Sequence, residues 1–255
     1  MIVALDFGER ESLLKTAGLL VGEVETLKIG LEAYTHMGPG ILDELGGMGF
    51  EVFADLKLHD IPNTVSGAVR GLVQRGVRMI TVHASGGRRM LEEAASAARD
   101  EAKTSGVERP ILLGVTILTS LDDEAVAEIG YAGNVGDMAI SLARLGLECG
   151  LDGVVASARE APALRAVLGE QAVLVTPGIR ARGTASQDQA RTASPAEAIS
   201  AGADYLVVGR PVISRPDPAA ALRDIRAEAG LPERSRDGWR GERGAPAGEG
   251  PPEGH

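Results

Sequence analysis

Asp55, Lys57 and Asp60 fall within six residues in Phe53-Ala-Asp-Leu-Lys-Leu-His-Asp-Ile-Pro-Asn-Thr64. A lysine set between carboxylates stays protonated, because nearby opposite charge favours the ammonium form. Such a group can donate a proton to carbon or stabilise a developing anion. The segment starts apolar, reads as a strand and ends at Pro62. Strand alternation turns Asp55 and Lys57 to one face, and Ala54, Leu56 and Leu58 to the other. Charges brought near a core lose water at considerable cost unless they are paired. The plain alternative is a salt-bridged strand end with a solvated loop after it, so the rest of the chain has to decide.

The elements that would position these residues follow a regular plan. Apolar, β-branched runs at Ile2–Leu5, Thr26–Ile29, Glu51–Leu56, Met79–Val82, Ile111–Thr116, Gly153–Ala156, Ala172–Thr176 and Tyr205–Val208 read as strands. Helical patterns lie between them, at about 9–21, 39–48, 64–74, 88–104, 134–148, 160–168, 195–201 and 217–229. In the third of these, Val65, Ala68, Val69, Leu72 and Val73 fall on one face, and Gly76 follows as a helix stop. Eight alternating strand–helix units predict one (β/α)8 TIM barrel over residues 1–230. A doubly wound open sheet is the alternative, but Asp6-Phe7-Gly8 lacks the glycine-rich phosphate turn expected after its first strand.

Composition agrees with buried parallel strands. Hydrophobic residues make up 44% of the 255 residues and aromatics only 3%, so the core must be aliphatic. A net charge of −10 argues against a nucleic-acid or anionic-membrane partner, though not against a small anion met by a few converging cations. No stretch is long and apolar enough to span a bilayer, and Ile2-Val-Ala-Leu-Asp6 begins the first strand directly, so a cytoplasmic protein is expected. Cys149 is the single cysteine, which removes disulfides and cysteine-based zinc sites from consideration. From residue 231 onward the chain is Gly, Pro and charge with one aromatic, Trp239, and reads as a disordered tail.

Barrel active sites form where strands end at the C-terminal face. Those positions carry Asp6, Lys28, Asp55, Lys57, His83, Thr116, Thr119, Ser120, Arg180 and Arg210, with Asp60 in the loop after the third strand. Pro177-Gly-Ile-Arg180 and Val208-Gly-Arg-Pro211 follow strands seven and eight, where barrels often hold phosphate. Gly209 would let the backbone approach an oxyanion, and Arg210 would add charge-assisted hydrogen bonds. The alternative is that both arginines are surface residues. The small, polar stretch from Ala181 to Gln189 suits a lid, or an ordinary loop. His83 reads as a supporting histidine at the rim, and His59 is expected to face away from Lys57.

Together these residues resemble the orotidine 5′-monophosphate decarboxylase family. The likeness rests on Asp55-Leu-Lys-Leu-His-Asp-Ile-Pro-Asn-Thr64, similar to the family's Asp-x-Lys-x-x-Asp-Ile-Pro signature. Val3-Ala-Leu-Asp6, Leu27-Lys-Ile-Gly30, Leu118-Thr-Ser120, Thr176-Pro-Gly-Ile-Arg180, Asp188-Gln189 and Val208-Gly-Arg210 support it, in order, over residues 2–229. The resemblance implies a homodimer that converts orotidine 5′-monophosphate to UMP and carbon dioxide with neither metal nor organic cofactor. It further implies that Lys57 protonates carbon 6 of the pyrimidine, with Asp55 beside the departing carboxylate and Lys28 in the same charged network, touching the ribose. Asp60 and Thr64 would enter from the neighbouring subunit. Asp6 would bind ribose hydroxyls, Thr119 the pyrimidine edge, and Gln189 would bridge base and phosphate. Arg180, Gly209 and Arg210 would hold the phosphate.

Two other readings remain open at this level. Keto-gulonate phosphate decarboxylases and hexulose phosphate synthases share the Asp-x-Lys-x-x-Asp skeleton but use magnesium, with an acid where Lys28 stands. A barrel that binds a phosphate ligand without catalysis is the other, and would not need Lys57 among acids.

Overall fold

The computed structural model describes residues 1–180 and 193–232. Gln189, the lid reading of 181–189 and the tail from 233 with Trp239 lie outside the described residues. Each apolar run forms a strand: β1 (Ile2–Ala4), β2 (Thr26–Gly30), β3 (Glu51–Leu58), β4 (Met79–His83), β5 (Ile111–Val115), β6 (Gly153–Val155), β7 (Val173–Thr176) and β8 (Tyr205–Val208). They close in chain order into a barrel, with every neighbouring pair parallel and β1 returning to β8. Parallel neighbours require crossovers, and helices supply them. The expected (β/α)8 TIM barrel is the observed fold.

The helices are α1 (Arg10–Leu19), α2 (Leu31–Met37), α3 (Gly40–Gly47), α4 (Pro62–Val73), α5 (Arg88–Ser105), α6 (Asp123–Glu128), α7 (Val135–Glu148), α8 (Ala161–Leu168), α9 (Pro195–Ser200), α10 (Arg210–Ile213) and α11 (Pro218–Glu228). α2, α6 and α10 are absent from the sequence reading because each is too short to display a buried stripe. α6 is instead made by its cap: the Asp122 carboxylate accepts the Ala125 N–H at 2.9 Å. α4 begins at Pro62, two residues ahead of the expected start at Thr64, because proline suits the first helical turn, where no N–H is needed.

Alternation divides the apolar residues between two cores. Ile2, Ala4, Phe53, Met79, Leu113 and Val207 fill the barrel. Their neighbours in sequence, among them Val3, Val52, Ala54, Ile80 and Leu112, face outward into the layer shared with the helices. Full burial of each large aliphatic side chain contributes about 1.5–3 kcal/mol, and interior filling leaves only the strand ends open for polar groups. The lower end is tied by two carboxylates. Asp152 accepts the Leu112 N–H and pairs with Arg109. Asp204 does the same for Leu174 with Arg165. The rim at the opposite end carries Lys28, Asp55 and Lys57, with Asp6 two residues past β1.

Candidate active site

Lys28 lies in β2, Asp55 and Lys57 in β3, and Asp6 two residues past β1. The Lys28 ammonium stands 3.2 Å from Asp6 Oδ1 and 3.4 Å from Asp55 Oδ2. Asp55 Oδ1 accepts from Lys57 Nζ at 2.9 Å. The amine bracketed by two carboxylates within this chain is therefore Lys28, whereas Lys57 pairs with Asp55. Asp60, expected in the neighbouring subunit's site, is exposed here and its Oδ1 accepts the Ile61 N–H at 2.6 Å. Proline and the helix start at Pro62 turn the chain outward just beyond it.

Burial and charge oppose one another in this cluster. Burial pushes the Lys28 pKa down, but the carboxylates of Asp55 and Asp6 outweigh it and hold the ammonium above its ordinary value. Burial likewise pushes Asp55 up, and the two lysines with the Thr81 hydroxyl bring it below the usual carboxylate range. Gly30 makes the approach possible. A Cβ there would lie 3.1 Å from Lys28 Nζ and 3.2 Å from Asp6 Oδ1, closer than side-chain carbons normally come.

β3 is not the regular strand that alternation presumes. Ala54 pairs with Ile80 and Leu58 with Val82, so Asp55, Leu56 and Lys57 face Thr81 alone. Lys57 takes a φ of 50°, the only positive φ at a non-glycine among the described residues. That conformation costs an L-residue about 1–2 kcal/mol. Asp55 and Lys57 still converge, as expected, but through a bulge that re-aims the strand end. The Lys57 N–H leaves the ladder and donates to Thr81 Oγ1 at 2.9 Å, and that hydroxyl donates to Asp55 Oδ1 at 3.1 Å. Thr81 is absent from the sequence reading. The available signal is alternation in β4, which puts Met79, Thr81 and His83 on one face.

Asp6, Lys28, Asp55, Lys57, Thr119, Arg180, Gly209 and Arg210 line one cavity of about 270 Å³, with Phe53 and Val155 below them. One wall is charged, and the other is Pro177–Arg180 and Gly209–Pro211. The base of the Arg180 loop is closed by backbone bonds, Arg180 N–H to the Ala193 carbonyl at 2.9 Å and Ala193 N–H to that of Gly178 at 3.3 Å. A larger hollow of about 510 Å³ lies at the barrel's other end. Its charges already neutralise one another, with Arg78 on Glu108 at 2.5 Å and Arg109 on Asp152 at 2.8 Å.

Thr64, exposed in the first turn of α4, does not line the cavity. Thr116 is buried and donates to the Val155 carbonyl at 3.4 Å, which accounts for it structurally. His83 is held below its ordinary pKa by burial, His59 and Lys57, against the pull of Asp55. Its ring lies 5.2 Å from that of His59, and neither ring lines the cavity. Among the described residues, no group of three or more His, Cys, Asp or Glu side chains could hold a metal ion.

Comparison with known proteins agrees with this geometry. The family model described as "Orotidine 5'-phosphate decarboxylase / HUMPS family" matches residues 1–225. The chain is 48% identical over 229 residues to an orotidine 5'-phosphate decarboxylase of Moorella thermoacetica, covering 89% of this chain and 91% of that one. It is 46% identical over 228 residues to the enzyme of that name from Hahella chejuensis, covering 89% and 96%. Among solved structures, orotidine 5'-phosphate decarboxylase from Lactobacillus acidophilus superposes with a TM-score of 0.79 at 33% identity, over 91% of this chain and 99% of that one. A closed parallel barrel, a rim of alternating lysines and carboxylates, and likeness along nearly the whole barrel thus agree: the chain belongs to the orotidine 5'-phosphate decarboxylase / HUMPS family.

Proposed function

We propose that this protein decarboxylates orotidine 5′-monophosphate to UMP and carbon dioxide, with no metal or organic cofactor. The observation that carries the reading is the Asp6–Lys28–Asp55–Lys57 chain of contacts facing a second wall with two arginines. The bond from carbon 6 to the carboxylate breaks, carbon dioxide leaves, and the electron pair stays on carbon 6. The Lys57 ammonium stabilises that carbanion and then gives it a proton. Asp55 aims Lys57 through its 2.9 Å contact and lies beside the departing carboxylate. Repulsion between the two carboxylates is a smaller contributor than the preorganised cation.

Lys28 and Asp6 bind the ribose hydroxyls, and Thr119 meets the pyrimidine edge. Arg180, the Gly209 backbone and Arg210 hold the 5′-phosphate, with Gln189 bridging base and phosphate. Binding energy at this remote group contributes to orienting the ring. The active form is a homodimer in which Asp60 and Thr64 complete the partner's site. Their exposure beside Ile61, an apolar residue 67% exposed, supports that reading. The catalytic domain is residues 1–230, with 231–255 an accessory tail. A cytoplasmic location belongs to the same proposal and rests on cysteine usage, since Cys149 is the single cysteine and is free.

A magnesium-dependent sugar-phosphate reaction fits less well, because the Lys28 ammonium occupies the space between Asp6 and Asp55 where a cation would have to sit. The decisive experiment follows loss of orotidine 5′-monophosphate absorbance in EDTA. Full turnover is expected; no turnover with or without added magnesium would sink the proposal. Turnover that appears only with magnesium would remove the metal-free mechanism.

A further inference from the structure

Thr81 is given no role above, yet it touches both groups on which those roles rest. A non-glycine residue stays in the left-handed region only where its surroundings over-determine it. Around Lys57 the determinant is the bulge against β4. Three residues of β3 span the place of one on β4, so the Lys57 N–H has lost its ladder carbonyl. Thr81 Oγ1 accepts it at 2.9 Å, and the hydroxyl hydrogen goes on to Asp55 Oδ1 at 3.1 Å. That same carboxylate oxygen accepts from Lys57 Nζ at 2.9 Å. The three bonds close a ring through the Lys57 main chain, the Thr81 hydroxyl, the Asp55 carboxylate and the Lys57 ammonium.

Only a group that accepts and donates at once can sit between an N–H and a carboxylate, and a hydroxyl does both. Thr81 is fully buried, so solvent is excluded from its position. The side chain is also β-branched and would suit a strand without any polar role. The two explanations separate by chemistry. Valine keeps the shape and branching, while serine keeps the hydroxyl and loses the methyl.

We propose that Thr81 is a positioning residue: its hydroxyl fixes both the left-handed backbone of Lys57 and the orientation of Asp55, and so aims the Lys57 ammonium into the cavity. The inference rests on Lys57 as proton donor, as proposed above. The test compares Thr81→Val and Thr81→Ser in the full chain by steady-state decarboxylation and by amide hydrogen exchange at Lys57 without substrate. A misaimed catalytic group lowers kcat rather than raising KM, so Thr81→Val is expected to lower kcat by about 10- to 100-fold with KM within about threefold. Thr81→Ser restores kcat to within a few-fold of the unaltered enzyme. Exchange at the Lys57 amide accelerates in Thr81→Val and not in Thr81→Ser.

Unaltered kcat in a folded Thr81→Val protein, or equal losses in both variants, would overturn the inference. If the unaltered protein does not decarboxylate orotidine 5′-monophosphate, the functional reading fails by itself. Exchange then judges the clamp alone, and unchanged protection of Lys57 in Thr81→Val refutes it. Thr81→Ala serves the same comparison should the valine variant not fold.

Discussion

The two walls of the cavity are built by different means. On the β1–β4 side, the contacts run between neighbouring strands and within β3: Asp6 on Lys28, Lys28 on Asp55, Asp55 on Lys57 two residues along β3, and Thr81 on the Asp55 carboxylate and the Lys57 N–H. Strand register sets those distances, and neither partner can move without disturbing the sheet. On the β7–β8 side the wall is the Pro177–Arg180 segment after β7 and the start of α10 with Gly209 before it, carrying two guanidinium groups. Burial varies along the first wall itself. Asp55 and Lys28 keep only 12% and 10% of their side-chain surface, whereas Asp6, toward the mouth, keeps 46%. A rigid charged wall suits a reaction whose transition state must find its cation in place. A wall built from a strand-end segment and a helix start suits gripping a group remote from the reacting bond.

If that division is right, substitutions at Asp55 and Lys57 on the first wall should act on kcat and those on the second wall mainly on KM. The largest effect is expected for Lys57→Ala, which removes the proposed proton donor and should lower kcat by on the order of 10⁴-fold. Near-normal turnover in a folded protein would end the assignment. Mixing Lys57→Ala with Asp60→Asn subunits should regenerate one intact site per heterodimer; no recovery, with subunit exchange confirmed, would show that Asp60 is not shared.

Arg210→Ala on the second wall should lower kcat/KM by about 10- to 100-fold, the value of a charge-assisted hydrogen bond, with the larger share in KM. A loss confined to kcat would contradict the division of labour between the walls.

The next test concerns stability. Asp55 is depressed below its ordinary value of 3.8, so its contribution is present above pH 3.8 and is lost as pH falls through the lower folded value. Lys28 is raised above 10.5, so its contribution is full below pH 10.5 and is lost as pH rises through the higher folded value. Asp55→Asn leaves the lysines without their shared partner and should cost about 3–5 kcal/mol at pH 7. Urea unfolding at pH 7, 4 and 3 should show that gap narrowing below pH 3.8. A gap independent of pH would mean that charge is not what holds this wall together. The smallest effect is expected for truncation after Gly230, which should leave both kcat and KM unchanged; loss of folding would assign the tail a structural part.

Much of the charged wall could be read from the chain because strand chemistry is local. Asp55 and Lys57 two apart on an apolar run, and Lys28 on another, already face one rim if the strands are parallel. Asp60 shows the limit of the same logic. Being three residues from Lys57 gives no contact within one chain, because Pro62 opens a helix and turns the loop out to solvent. Thr81 was invisible for the opposite reason: a threonine in a β-branched run looks like ordinary strand material.

By itself, the sequence determined that there are eight strand–helix units and which residues finish the strands, since periodicity of two or of 3.6 residues is written into neighbouring positions. It also determined which cations and carboxylates reach one rim. Tertiary structure alone decided the pairing. It bracketed Lys28 rather than Lys57 between two carboxylates of the same chain, put Lys57 in the left-handed region, and set Thr81 beneath it. Those outcomes depend on the register between β3 and β4, and register is a relation between segments that neither segment carries alone.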